Sequence, residues 1–295
     1  MSKEKPRLLV IGSRGFLGTY AAQAAAADFE VIEGNRTITG QPGEVRIDLR
    51  EPGSVAAAFQ AVRPDVVMLF SAISDIDRCE KLPEEAGIVN LIGAQQVAEA
   101  CARTNARLLF TSTGAVFDGR KHGYSESDPV SPVSVYGETK AMAERSVLAH
   151  VPSAIIVRIA LAIGFAGRSG ASALLDNLKN RWSSGQKLTF PIFEQRNPID
   201  AVTASRFMLD LLAKPDVQGI FHIGCKDPIT RYHLGLKLAS RMGYPDQVQR
   251  QVDPVPGRAP RGPDHYLLTN KLRAVSPTPI PTCEEVIERC FHGLA

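Results

Sequence analysis

The stretch VIGSRGFLG (residues 10–18) sets three glycines, Gly12, Gly15 and Gly18, directly behind a short apolar run and ahead of an alanine-rich segment. The apolar residues of RLLVIG (7–12) predict a strand buried on both faces, and the alanines through about Ala27 predict a helix. That order has a physical use. One glycine permits a tight turn, one lets backbone approach a pyrophosphate, and one packs helix against strand. The helix N-terminus then offers free amides and the positive end of its dipole to the phosphates. A glycine triplet alone is weak evidence; its place at the mouth of the first helix strengthens it.

Outward from this turn the alternation continues. FEVIEG (29–34), EVRID (44–48), PDVVMLFSA (64–72), ARLLFTST (106–113) and SAIIVRIA (153–160) read as strands. Helical patterns cover about 52–62, 84–104 and the segment around Tyr136. Buried strands joined by helices predict an α/β fold, a doubly wound parallel sheet covered on both faces. After residue 160 the pattern fades into a helix at roughly 170–184, another opening in NPIDAVTASRFMLDLL (197–212) and a strand at GIFHIG (219–224). VDPVPGRAPRGP (252–263) reads as an extended connection. We expect a Rossmann domain over 1–160, to which 197–224 returns. A smaller, substrate-binding lobe is expected from 161–196 and 225–295.

Composition narrows the function. The chain has 295 residues, 44% hydrophobic and 22% charged, which suits a large buried core. A net charge of +3 with scattered basic residues argues against nucleic acid as partner. The best apolar run, AIIVRIALAIGFA (154–166), is too short to span a membrane and contains Arg158. No secretory leader pattern opens the sequence, so a cytoplasmic location is expected. Five cysteines without a CxxC read as reduced thiols, and six histidines without ligand spacing predict no metal site.

The second strand should carry the group that meets the adenosine ribose. It offers Glu33, which would accept ribose hydroxyls, and Arg36, which with Arg14 would bind a 2′-phosphate. Two converging guanidiniums favour NADP, with NAD as the alternative.

VSVYGETKAMAER (133–145) places Tyr136 and Lys140 four apart, on one helix face. Free tyrosine titrates near 10, and a neighbouring ammonium favours phenolate and makes the phenol a better acid. Thr113, at the end of a predicted strand, is placed to hydrogen-bond a carbonyl oxygen that Tyr136 protonates.

Together these motifs resemble the extended short-chain dehydrogenase/reductase superfamily. Within it, STGAVFDG (112–119) and YSESDPVSPVSVYGETKAMAE (124–144) resemble the dTDP-4-dehydrorhamnose reductase family. IDL (47–49), PDVVMLFSAISDIDRCE (64–80) and Asn90 in IVNLIGAQQVAEAC (88–101) extend the likeness. The resemblance implies a catalytic set of Thr113, Tyr136 and Lys140. It implies a hydride donor held across Gly12, Ser13, Arg14, Gly15, Phe16, Leu17 and Gly18. Asp48 and Leu49 would lie near the adenine, and Ser71, Ala72 and Ile73 along the ribose and diphosphate path. Thr111, Tyr136 and Lys140 would complete the cofactor contacts. The implied activity is NADP-dependent reduction of a keto group on a nucleotide-linked sugar. An epimerase on the same scaffold and a non-catalytic NADP-binding regulatory subunit are the alternatives. Superfamily relatives often pair through helices flanking the sheet, and the resemblance leaves a homodimer open.

One departure bears on the substrate. The family loop usually reads Ser-Thr-Asp-Tyr, where this chain has Ser112, Thr113, Gly114 and Ala115, implying a roomier, less polar wall. Among other residues, Arg158 is either buried with a partner or beside the ligand. Asn90 is expected in structural hydrogen bonds, Asp200 at a helix cap and Trp182 between lobes. Arg196 is either a diphosphate contact or a solvated loop residue.

Overall fold

Four consecutive residues of the first strand, Leu8 to Ile11, are buried, as the middle of a covered sheet requires. The computed structural model describes residues 4–166 and 173–291. From the N-terminus come β1 (Arg7–Ile11), α1 (Phe16–Ala25), β2 (Glu30–Asn35), β3 (Glu44–Arg46), α2 (Ser54–Val62) and β4 (Val66–Leu69). There follow α3 (Ile76–Lys81), α4 (Pro83–Ala86), a π-helical turn (Gly87–Ile92), α5 (Gly93–Thr104), β5 (Arg107–Thr113), α6 (Val135–His150) and β6 (Ile155–Ile159). Next are β7 (Leu161–Ile163), α7 (Leu174–Ser183), β8 (Leu188–Pro191), β9 (Gln195–Arg196), β10 (Pro198–Asp200), α8 (Ala201–Leu212) and β11 (Gly219–Ile223). The last elements are β12 (Ile229–Thr230), α9 (Arg231–Arg241), β13 (Val248–Gln251), β14 (Asp264–His265), α10 (Asn270–Val275) and α11 (Cys283–Phe291).

Seven strands form one parallel sheet in the order β11-β6-β5-β4-β1-β2-β3. This is a doubly wound α/β sheet of the Rossmann type. Successive residues of each strand feed opposite cores. Leu8, Val10, Met68, Leu109, Ile155 and Val157 pack with Ala21 and Ala25 of α1 and Phe207 and Met208 of α8. Leu9, Ile11, Val67, Leu69, Phe110 and Ile156 pack with Phe59 of α2, Val97 of α5 and Val147 of α6. The strand order reverses between β1 and β4, which opens a crevice beyond their carboxyl ends.

The long helix read at 84–104 is interrupted. Its first part is the single turn of α4, and the π-helical turn then shifts the register before α5. The helix read at 170–184 runs from Leu174, and 170–172 lie outside the described residues. Beyond the main sheet, β10 pairs with β7, β13 with β8, and β9 lies between β12 and β14. Trp182, expected between lobes, has its aromatic neighbours Phe190 and Tyr244 within the C-terminal pieces. All five cysteines are free thiols. Among the described residues, no helix is long and apolar enough to cross a membrane.

The glycine turn seats α1 on β1. Gly12 has φ +89°, and a Cβ there would stand 2.8 Å from the Ser71 nitrogen. A Cβ on Gly18 would stand 2.1 Å from the Gly12 carbonyl oxygen, which no rotamer relieves. Gly18→Ala is therefore expected to lower unfolding free energy by at least about 1–3 kcal/mol, read from urea denaturation.

Candidate active site

Two cavities meet at the crevice. The first, about 580 Å³, is lined by Gly12, Arg14, Asn35, Arg36, Asp48, Leu49, Ser71 and Ile73, among others. The second, about 490 Å³, is lined by Phe16, Leu17, Gly18, Thr111, Thr113, Tyr136 and Lys140, with Ile159 to Ala162 opposite. Gly15, Phe70, Ala72 and Ser74 belong to both walls, so the two form one cleft. No side chain caps α1, whose N-cap is Gly15, and no acidic residue sits in its first turn. Its free amides therefore remain open to an anion.

Sequence dictates how the second cavity is built. Ser134 caps α6 by accepting a hydrogen bond from the Gly137 amide at 3.2 Å. A Cβ on Gly137 would stand 2.2 Å from the Ala115 carbonyl oxygen, so the first turn of α6 presses directly on the loop behind β5. That contact brings Tyr136 and Thr113 onto one wall of the cavity, where the Thr113 hydroxyl acts on the phenol. One turn on, Lys140 is 2% exposed, with its ammonium 4.0 Å from the centre of the Phe110 ring.

The electrostatics differ from the sequence expectation. Burial pushes the Tyr136 phenol up to about 12, against a smaller lowering by Thr113. Burial pushes the Lys140 ammonium down to about 7, opposed by the charge of Glu144. Burial dominates the phenol, while the Lys140 ammonium lies over the Phe110 ring and feels the charge of Glu144. Beneath it lies a buried network. The Glu144 carboxylate accepts from Arg158 Nε at 2.9 Å and Nη2 at 2.6 Å, and from the Ser112 hydroxyl. Arg158 is thus buried with a partner and also stacks over Phe117.

Asn90 sits in the π-helical turn. Its carboxamide accepts from the Ile73 amide at 2.8 Å and donates to the Ile73 carbonyl at 3.0 Å and the Thr139 hydroxyl at 3.2 Å. It therefore ties the cleft-lining segment 71–73 to α6.

In the first cavity the expected arginine pair is divided. Arg14 donates to the Thr37 carbonyl at 2.8 Å and to the carboxylate of Glu44. Arg36 is exposed at the same wall. Glu33 instead accepts from the Ser13 hydroxyl at 3.0 Å. Ser13 is buried and also accepts from Asn35 Nδ2 at 2.7 Å, so it shapes the turn from inside. Asp48 is held down to about 2 by the Arg50 guanidinium. Arg50, Arg78 and Asn35 line this cavity and were missed in the sequence; Arg50, directly behind IDL, was the one with a local signal.

Arg196 is neither solvated nor free. It is 7% exposed, and donates to the carbonyls of Gln195, Pro263 and Gly262. Burial lowers its pKa to about 10. Nor is the loop wall roomier. A Cβ on Gly114 would stand 3.1 Å from Cβ and 3.6 Å from Cγ of His265, which occupies the space beside Gly114. Burial keeps that imidazole neutral, its pKa pushed down to about 3. Asp200 caps α8, as expected.

The profile of the RmlD substrate binding domain matches residues 6–295. The chain belongs to this family. Over 274 residues it is 25% identical to methionine adenosyltransferase 2 subunit beta of Xenopus tropicalis, spanning 91% of this chain and 82% of that protein. Over 290 residues it is 29% identical to dTDP-4-dehydrorhamnose reductase of Mycobacterium tuberculosis (strain ATCC 25618 / H37Rv), spanning 95% and 90% respectively. Among solved structures, dTDP-4-dehydrorhamnose reductase from Bacillus anthracis str. Ames in complex with NADP is similar with a TM-score of 0.88. That match is 22% identical and covers 97% of this chain and 99% of the other, a likeness of fold.

Two outcomes test this RmlD-family site. Removing one partner of the buried pair by Arg158→Met strands the Glu144 charge and is expected to cost about 3–5 kcal/mol in urea denaturation. Arg158→Met with Glu144→Leu should recover most of the loss. Lys140 has a folded-state pKa below its ordinary 10.5, so between about 7 and 10.5 the unfolded chain binds the extra proton. Its burial penalty is full below about 7 and fades as pH rises. The melting temperature of Lys140→Met minus that of wild type should therefore be more favourable at about pH 6 than at about pH 9.

Proposed function

We propose that this protein is an NADP-dependent reductase of a keto group on a nucleotide-linked sugar. The observation that carries the reading is the shared wall of Gly15, Phe70, Ala72 and Ser74. It joins a cavity at the glycine turn to one holding Thr113, Tyr136 and Lys140. A dinucleotide laid along that cleft would put its adenosine by Asp48 and Leu49, its diphosphate on the amides of α1 and its nicotinamide beside Tyr136. The open α1 N-terminus and the glycines that no Cβ can replace fit such a ligand.

When bound, the reduced nicotinamide supplies hydride to a carbonyl carbon. Thr113 fixes the carbonyl oxygen by hydrogen bonding, and Tyr136 delivers its phenolic proton to that oxygen. Burial keeps the phenol protonated through the neutral range, so it carries the proton that reduction calls for. Lys140, titrating near 7, holds or releases a proton at Nζ within the neutral range and brings a cation to the same wall. The apolar face of Ile159 to Ala162 keeps water from the reacting atoms. An anionic substrate tail finds positive charge nearby. Arg196, Arg231, Arg258 and Arg261 act on one another around the carboxylate of Glu194. Arg261 also clamps Asp77 at 2.6 Å, one residue beyond Ile76 of the cavity wall.

A second reading draws on Gly114 and Ala115 and on the likeness to methionine adenosyltransferase 2 subunit beta. In it the cleft holds a dinucleotide while the protein regulates a partner enzyme. Stoichiometric co-purification with a partner, with no ketone-dependent oxidation of NADPH, would favour that reading.

The deciding assay follows NADPH oxidation with dTDP- and UDP-linked 4-keto-6-deoxy sugars. Tyr136→Phe should cut kcat by about a hundredfold or more while leaving NADPH affinity nearly intact. Wild-type turnover in that variant would remove Tyr136 as the acid.

A further inference from the structure

The loop between β2 and β3 closes on the side chain of Glu44. Its Oε2 accepts from three successive backbone amides, Thr39 at 2.6 Å, Gly40 at 3.0 Å and Gln41 at 3.3 Å. Its Oε1 accepts from the Thr39 hydroxyl at 2.9 Å and from Arg14 Nη2. Successive amides with a guanidinium behind them are the donor set that binds a phosphate. Here a carboxylate of the chain itself fills it, 8% exposed, and these donors hold it ionised, its pKa near 2. Arg14 lines the adenosine side of the cleft with Arg36 and Thr37. The remaining Arg14 contacts go to the Thr37 carbonyl and the Thr39 hydroxyl.

We propose that Glu44 sets the choice between the two nicotinamide dinucleotides. Its carboxylate takes the Arg14 guanidinium that a 2′-phosphate would otherwise use, leaving Arg36 as the one guanidinium of the pair that favours NADP over NAD. This rests on the proposed cofactor site and adds the residue that limits its preference. A 2′-hydroxyl brings no charge to Arg14 and is indifferent to Glu44. A 2′-phosphate meets a guanidinium already neutralised and a like charge one atom layer behind it.

The test is direct binding of NADPH and NADH by calorimetry, without any ketone, so loss of the proposed reaction and loss of this assignment are separate results. Glu44→Gln should tighten NADPH about tenfold and leave NADH within about twofold. In the wild-type background Arg14→Gln should weaken NADPH by less than about threefold; in the Glu44→Gln background, by about tenfold. The assignment is overturned if Glu44→Gln changes neither ligand, or changes both equally through the 39–44 turn. Where that variant disturbs the turn, Arg14→Gln alone decides: a large NADPH-specific loss in the wild-type background also overturns it. If the wild type binds neither dinucleotide, this assignment and the cofactor site fall together.

Discussion

How closely the first helix can approach the turn behind the first strand governs the rest of the molecule. Gly18 lies so near the Gly12 carbonyl that a methyl group would overlap it. That approach tilts the N-terminus of α1 into the crevice where the strand order reverses. The same logic recurs at Gly137, where a missing side chain lets α6 rest on the Ala115 carbonyl and sets Tyr136 against Thr113. Two close backbone contacts, one per half of the cleft, thus set how its two cavities meet.

A second constraint is charge held out of water. Lys140, Glu144 and Arg158 are all nearly inaccessible, and Ser112 adds a hydroxyl to the same carboxylate. Ions removed from water are costly unless mutually compensated. Here Glu144 is bound in a fork by Arg158, while Lys140 leans on the Phe110 ring face and keeps only a distant share of Glu144. The pairing anchors β5, β6 and α6 together under the cleft floor. It also leaves Lys140 the group whose charge answers most readily to pH and to an arriving ligand.

Much of this was legible in the chain. Strands buried on both faces write themselves as unbroken apolar runs, so β1, β4, β5 and β6 could be read directly. The Tyr136–Lys140 spacing, the glycine turn and Thr113 at a strand end located both halves of the cleft, because helix periodicity and strand termini are local properties. What failed was what depends on partners distant in sequence. Arg196 read as either a diphosphate contact or a solvated loop residue, yet carbonyls more than sixty positions away hold it. Arg14 looked available until Glu44, thirty positions on, folded back to it. Gly114 and Ala115 suggested open space because nothing nearby announces His265. Local sequence carries propensity and spacing; it does not carry which side chain arrives first at a shared donor.

The π-helical turn at 87–92 has a consequence for the geometry of change. One turn of wider gauge acts as a phase shift, so the apolar stripes before and after it follow different counts. Deleting a single residue there would straighten the rod and rotate everything upstream by about 100°. Asn90 would swing away from the Ile73 backbone, while α5 kept its seat on the sheet. A helix can thus hold its core contacts and still lose the cleft, and the odd residue is what keeps both in step.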